Sequence, residues 1–192
     1  MTFAGIVLAA GSATRFGGDK LSALFRDEPL VTHAIRAARA APVDRVIVVC
    51  APGLDIGHWD SAPPVEAVQI ASTALSQSLQ AGIAAVGDVA GAFIFLGDMP
   101  LIPPAIAARL AAMLGDNFAA LPRCSGQPGH PVLLARRAFA AIAQLKGDEG
   151  AGKLLRQRGD VAFLDVAEEA ILLDVDRAED IARLENRGNG RQ

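Results

Sequence analysis

Residues Leu8–Lys20 read LAAGSATRFGGDK. The chain is continuously apolar from Ala4 to Ala10, then turns at once to Gly, Ser and Thr, with one Arg and one Lys. A short apolar run without polar alternation reads as a strand covered on both faces, as in parallel sheets. The small residues that follow let backbone N–H groups converge on a phosphate. Arg15 can then fork onto phosphate oxygens, and Lys20 adds a mobile point charge. Two better-known loops are excluded. A Walker A loop needs Gly-Lys-Ser/Thr, whereas Asp19 precedes Lys20 and Leu21 follows it. The dinucleotide fingerprint G-x-G-x-x-G is missed by glycines 11, 17 and 18. From glycines alone, a solvated loop with incidental charges is an equal alternative.

The pattern repeats outward from this loop. Further apolar runs at Arg45–Cys50, Val65–Ile70, Ala92–Leu96 and Val161–Asp165 read as strands. Between them, Pro29–Ala41, Thr73–Val86 and Pro103–Leu114 have helical period, and a last helix is expected at about Arg177–Arg187. In that last helix Asp176 is the expected N-cap, with Glu179 completing a capping box. Strand–helix–strand alternation predicts a single-domain, Rossmann-like three-layer α/β sandwich with a mostly parallel sheet. One domain is expected over residues 1–187, with 188–192 a flexible tail. Ligands of such sheets bind beyond the carboxyl ends of the strands, so polar residues at strand ends are the candidates.

Composition narrows the partners. The 192 residues are 52% hydrophobic and 20% charged, which suits one globular core. A net charge of −3 gives no global field toward nucleic acid or an anionic membrane. No apolar run is long enough to span a bilayer and no leader pattern is visible. Cys50 and Cys124 have no metal-type spacing. A cytoplasmic monomer is the expectation.

Five other stretches carry candidate chemistry. GAFIFLGDMP (Gly91–Pro100) is an apolar strand ending in Asp98. An ionised carboxylate there needs a partner, and Mg2+ (or Mn2+) is a natural one, since it shares itself between carboxylates and phosphates. The alternative is a turn or cap residue ahead of Pro100. LLDVDRAED (Leu172–Asp180) places Asp174 and Asp176 two apart, on one side of an extended segment. Either can join Asp98 at a metal; Asp176 is preferred over Asp174. ALSQSLQAGIAA (Ala74–Ala85) contains Ser78 on a helix. In GQPGHPVLL (Gly126–Leu134), Gly129 and Pro131 fix the backbone around His130. In LKGDEGAGKLL (Leu145–Leu155), Asp148 is a candidate helix cap, and glycines 150 and 152 are costly in a helix start.

The Leu8–Lys20 stretch resembles the L-A-[AG]-G-x-[SG]-x-R-[MF]-G-x-x-K signature of nucleotidyltransferases. It is similar above all to the branch that includes molybdenum cofactor cytidylyl- and guanylyltransferases. Leu8, Ala9, Ala10, Gly11, Arg15, Phe16, Gly17 and Lys20 fill its positions; Ser12 falls on its first variable position, and Ala13 stands where it has Ser or Gly. The other stretches resemble this family's S-L-x-x-G-[LI], G-D-[QM]-P, G-x-x-G-H-P-[VI], G-D-x-G-A-[RG] and D-[IV]-[DN]-T-P-E-D elements, in family order. Arg177 and Ala178 stand in place of that last element's Thr-Pro.

The resemblance implies a nucleotide-diphospho-sugar transferase-like fold and a loop wrapping a nucleoside triphosphate. It implies Arg15 and Lys20 on the phosphates, Ser78 near the base or ribose, and Asp98 on the catalytic metal. His130 and Asp148 are implied on the acceptor side. The implied reaction is attack on the α-phosphorus with loss of pyrophosphate, a step governed by alignment and charge neutralisation. Ala10 in L-A-A-G leans toward CTP over GTP. The implied acceptor is a molybdopterin-type cofactor phosphate, and a molybdoenzyme or its chaperone is the implied protein partner. Other readings are a sugar or polyol phosphate acceptor, guanylyl transfer from GTP, and a non-catalytic nucleotide-binding cofactor chaperone.

Overall fold

The apolar run ahead of the glycine-rich loop forms β1 (Phe3–Ala9), a central strand of an eight-stranded sheet. The computed structural model describes residues 2–11, 16, 18–71 and 74–188, with side chains through residue 186. After β1 come a small hairpin, β2 (Leu24–Phe25) and β3 (Glu28–Pro29), and then α1 (Leu30–Arg39). Next are β4 (Arg45–Cys50), β5 (Val65–Gln69), α2 (Leu75–Ala85), β6 (Gly91–Leu96) and α3 (Pro104–Met113). The second half adds β7 (Ala119–Cys124), β8 (Gln127–Pro128), β9 (Val132–Ala135), α4 (Phe139–Ile142), α5 (Ala151–Leu155), β10 (Val161–Asp165) and α6 (Ala178–Gly188).

The strand order is β10-β7-β9-β6-β1-β4-β5, with β8 paired to β7. Strands β5, β4, β1 and β6 run parallel, and β10 runs parallel to β7. Only the short β9 is reversed within the main order, antiparallel to both β6 and β7. The sheet is therefore mixed and mostly parallel, as the alternation of elements predicted.

Successive residues of β1 feed opposite cores, which is the period-2 rule at work. Val7 packs with Val48, Phe93 and the α1 and α3 residues Ile35 and Leu110. Ile6 packs with Ile47, Ile94 and the α2, α4 and α5 residues Leu79, Ile142 and Leu155. Helices on both faces complete three layers. A third, smaller core joins Phe25 and Leu30 to Val175 and Leu184, and so ties the C-terminal segment to the first hairpin. Arg36, on the polar side of α1, forks onto Glu28 at 2.9 and 2.8 Å.

Several boundaries differ from expectation, and five strands have no expected counterpart: the two-residue β2, β3 and β8, and the longer β7 and β9. β7 and β9 are absent from the sequence reading: β7 carries Pro122 and Arg123, and β9 is only four residues long. Pro inside a run demotes it as a strand, yet Pro122 sits in register opposite Leu164 of β10. The edge strands β5 and β10 are half exposed, not covered on both faces, because each has a strand neighbour on one side only.

Helix α2 lies directly against β1. A Cβ on Gly82 would stand 2.6 Å from Ile6 Cγ2 and 3.2 Å from Val49 Cγ2. Gly82→Ala therefore overpacks the core and should cost about 1–3 kcal/mol. Urea unfolding measures this; an unchanged midpoint would contradict the close packing.

Candidate functional site

The order of strands reverses at β1. The chain proceeds from β1 to β4 and β5 on one side, and β6 takes the other side. The crevice between the carboxyl ends of β1 and β6 is thus the topological switch point, where sheets of this kind bind ligands. Two sequence-selected stretches meet there: Ala9-Ala10-Gly11 leaving β1, and Gly97-Asp98 leaving β6. The Gly97 N–H donates to the Leu8 carbonyl at 2.9 Å, which holds the two ends together. A third segment crosses them. The Val175 N–H donates to the Asp98 carbonyl at 3.0 Å, and the Val175 side chain is fully buried. Asp174 and Asp176 flank that anchor and are exposed.

Lys20 opens a single helical turn, Lys20–Ser22, whose Leu21 is buried. Its Nζ donates to Asp98 Oδ2 at 2.7 Å and stands 3.8 Å from Asp176 Oδ1. The Lys20 and Asp98 side chains are only 14% and 22% exposed. The other Asp98 oxygen, Oδ1, is buried and has no hydrogen-bond partner among the described residues. A buried, unsatisfied charged oxygen is costly and asks for a ligand. The surrounding chain desolvates Asp174, and the charges of Asp176 and Asp98 repel it, which together push its carboxyl above its ordinary value. Three carboxylates therefore share one neighbourhood with one ammonium.

The described residues contain no group of three metal-ligating side chains arranged to hold an ion. Mg2+, however, needs only one or two carboxylates when substrate phosphates and water complete its shell. Asp98 with Asp176 or Asp174 fits that requirement, and the orphaned Oδ1 gives the first ligand. Closed structural metal sites, with four protein donors, do not fit.

Behind the strand ends lies a cavity of about 440 Å3. Leu8 and Leu96 bring it up to the switch point, and Leu79, Ile94, Leu121 and Val132 make it apolar. His130 lines it beside Gln127. The backbone there is tightly set: the Gly129 N–H donates to the Pro122 carbonyl and the His130 N–H to the Ile171 carbonyl, both at 2.9 Å. A Cβ on Gly129 would come within 2.5 Å of the Ile171 carbonyl oxygen, so only glycine fits. His130 Nδ1 lies 3.4 Å from the Ile94 carbonyl oxygen. Burial pushes the imidazole pKa down, partly offset by that carbonyl and by the charge of Asp98.

A second cavity, of about 310 Å3, lies on the β4 side of the loop. Ala9, Gly11, Asp19 and Lys20 line it, facing Pro52 and Gly53. Lys20 thus faces this cavity while its amine reaches Asp98.

The remaining candidates fall as follows. Ala10 is buried against the α2 side of the sheet. Ser78 is 3% exposed within α2 and lines neither cavity. Asp148 is exposed, ahead of α5, and outside the cavity lining. Ser12 and Arg15 lie outside the described residues. Two local expectations are corrected. Gly150, not Asp148, is the N-cap of α5, and a Cβ there would meet Leu75 Cδ2 at 2.8 Å. At α6, Asp180 takes the role expected of Glu179: its Oδ2 accepts the Asp176 and Arg177 N–H groups at 3.0 and 2.9 Å, because the helix begins at Ala178. Asp176 is thereby left free of capping work. Gln127, Arg156 and Phe163 also line the larger cavity and were not singled out from sequence, since nothing local marks them.

A mostly parallel sheet with acidic and basic groups at its switch point is an arrangement suited to binding a nucleotide. A family model described as the MobA-like NTP transferase domain matches residues 5–161, and the chain belongs to that family. Purine catabolism protein PucB from Bacillus subtilis (strain 168) is 27% identical over 190 residues, covering 92% of each chain. A probable molybdenum cofactor guanylyltransferase from Thermococcus gammatolerans is 32% identical over 103 residues, covering 52% of this chain and 50% of that protein. The crystal structure of Rv0371c from Mycobacterium tuberculosis H37Rv superposes with a TM-score of 0.85 at 28% identity, covering 96% and 98% of the two chains. A manganese complex of Rv0371c superposes at 0.79 with 27% identity, covering 97% and 99%. No helix among the described residues is long and apolar enough to cross a membrane.

Two measurements check the geometry. With the Lys20 ammonium removed, Asp98 loses a competing cation. Lys20→Ala should then bind Mn2+ without nucleotide on the order of tenfold more tightly, read by the free-ion EPR signal; weaker binding would contradict the pairing. The His130 imidazole should titrate in NMR below its ordinary value of 6.5. Between the two pKa values the unfolded chain holds a proton that the folded chain lacks. The stability linked to His130 is therefore complete above the ordinary value and is lost as pH falls through that window. A midpoint above 6.5 would contradict its burial.

Proposed function

We propose that this protein transfers CMP from CTP to a small phosphorylated acceptor, favouring a molybdopterin-type cofactor, with release of pyrophosphate. The single observation that carries the reading is the Lys20–Asp98 pair at the switch point, with one Asp98 oxygen buried and without a hydrogen-bond partner among the described residues. In this reading the Gly11 loop, Arg15 and Lys20 neutralise the triphosphate, and Ser78 stays near the nucleoside. Asp98, with Asp176 or Asp174, holds Mg2+ or Mn2+; a bound divalent cation supplies charge neutralisation on the phosphates. An acceptor phosphate oxygen forms the new bond to the α-phosphorus while the bond to the pyrophosphate oxygen breaks. No strong base is needed, because the attacking oxygen is already anionic. His130, whose imidazole burial pushes toward its neutral form, and Asp148 stand on the acceptor side in this reading. The functional unit is taken as residues 1–187.

What supports CTP is the Leu8-Ala9-Ala10-Gly11 stretch. The second reading is guanylyl transfer from GTP, favoured by the relatives named molybdenum cofactor guanylyltransferases, although these match only about half of the chain. A pyrophosphate-release assay with Mg2+ and a molybdopterin acceptor separates the two. The expected result is release with CTP well above GTP, and at least a thousandfold loss in folded Asp98→Asn, the scale of removing a preorganised charge at a transferring phosphoryl group. Faster release with GTP would reverse the nucleotide choice. Binding without release under any acceptor would favour a non-catalytic nucleotide-binding protein.

A further inference from the structure

Strands β4 and β5 are parallel neighbours, and such pairs are ordinarily bridged by a helix. Here residues 51–64 bridge them with neither helix nor strand. Backbone groups outside regular structure need other partners, and one side chain supplies several. Arg39, the last residue of α1, donates from Nε to the Pro63 carbonyl at 3.1 Å. Its Nη2 donates to the Ser61 carbonyl at 2.6 Å and to Ser61 Oγ at 2.7 Å. The same guanidinium lies 4.7 Å from the centroid of the Trp59 ring. A planar fork that also sits over an aromatic face is a role lysine cannot fill.

This clasp continues to the cavity on the β4 side. The Trp59 indole N–H donates to the Ile56 carbonyl at 2.8 Å. Leu54, Ile56 and Trp59 pack against the core that holds the buried face of α1. Leu54 also lines the cavity of about 310 Å3, and with Ala51, Pro52 and Gly53 it forms one wall; Gly11 and Lys20 belong to the other. A turn shapes this wall. The Leu54 N–H donates to the Ala51 carbonyl at 3.3 Å, and Gly53 takes a φ of +89°, which favours glycine. The wall is fixed at one end by the fully buried Cys50 of β4. At its other end it is held through Leu54, Ile56 and the Arg39–Trp59 clasp.

We propose that Arg39 is a positioning residue for nucleotide binding: through Trp59 it holds the wall of residues 51–54 in the shape that receives a nucleoside triphosphate. The proposal rests on the reading that this cavity takes the nucleotide, and it adds a residue outside the cavity that sets the affinity. Arg39 lines neither cavity and acts through the loop. A wall that samples other arrangements lowers the apparent affinity by the fraction of time it is competent. The coupling is reciprocal, so a bound nucleotide tightens the clasp in return. Trp59 is the chain's single tryptophan, so its indole N–H gives one NMR signal that reports on the clasp.

The test uses the full chain with CTP and with GTP, each with Mg2+, titrated by calorimetry. Arg39→Met keeps the stem and removes the fork. It should raise the Kd of the tighter nucleotide on the order of tenfold, and the nucleotide KM with it, while kcat stays within about threefold. Arg39→Lys should not restore the affinity, because it lacks the fork. Arg36→Met removes a guanidinium–carboxylate fork from the same helix and should leave Kd within about twofold. Trp59→Phe keeps a ring, loses the indole N–H, and should weaken binding about threefold. In wild type, nucleotide should slow solvent exchange of the Trp59 indole N–H. In Arg39→Met that exchange should be faster in the free protein and slowed again by saturating nucleotide. A lower urea midpoint with an unchanged nucleotide Kd in Arg39→Met makes Arg39 merely structural and overturns the proposal. Equal losses in Arg36→Met, or wild-type indole exchange indifferent to nucleotide, overturn it too. An unchanged Kd in Trp59→Phe overturns the route through Trp59. Failure here and failure of the transfer reaction are separable. Pyrophosphate release with an Arg39→Met nucleotide KM equal to wild type sinks the proposal and leaves the reaction standing. Arg39-dependent nucleotide binding without pyrophosphate release does the reverse.

Discussion

The Lys20–Asp98 ion pair is the contact on which the geometry of the site depends. It joins residues 78 apart in sequence and closes the gap between the ends of β1 and β6. Both groups are largely removed from water, so neither is stable there alone. The pair also reaches the C-terminal segment, because Asp176 stands 3.8 Å from the same ammonium and Val175 is hydrogen-bonded to the Asp98 backbone. One side chain thus holds together the glycine-rich loop, the end of the sheet and the last part of the chain. The pair is incomplete as it stands. Among the described residues Asp98 Oδ1 has no hydrogen-bond partner, and three carboxylates face the Lys20 ammonium. A further positive charge arriving with a triphosphate balances that account.

Around this centre the fold separates two kinds of surface. The cavity on the β4 side is lined by small residues of the two loops with Asp19, Lys20, Leu21 and Leu54, and its Lys20 and glycine backbone suit a phosphate. The cavity on the β9 side is apolar, with His130 and Arg156 as its basic groups, suited to an organic body with a polar edge. The switch point lies between them. The reversal of β9 matters here, because it carries the chain back from β7 and sets Gly129 and His130 beside the end of β6.

Much of this was legible in the sequence. Strands β1, β4 and β6 were marked by continuous apolar runs, because both their faces are buried. Asp98 was marked as the polar residue at the end of such a run, and Lys20 as a cation of the glycine-rich loop that follows one. What was not legible depends on contacts distant in sequence. β7 and β9 gain their strand character from each other, and Pro122 obscured one of them. Asp180 replaced Glu179 as the capping acid because the helix starts one residue later than its pattern suggested. Arg156 and Phe163 have no motif around them and become notable only when α5 and β10 fold onto the same cavity.

The central claim is that the Lys20–Asp98 crevice receives a metal–triphosphate complex. A crystal structure of the protein grown with CTP and Mn2+, with anomalous data at the manganese edge, tests it directly. The account predicts an anomalous peak within bonding distance of an Asp98 oxygen, with the triphosphate along the Gly11 loop and Lys20 turned from Asp98 to a phosphate. Manganese bound away from Asp98, or a triphosphate bound with the Lys20–Asp98 pair intact, would contradict it.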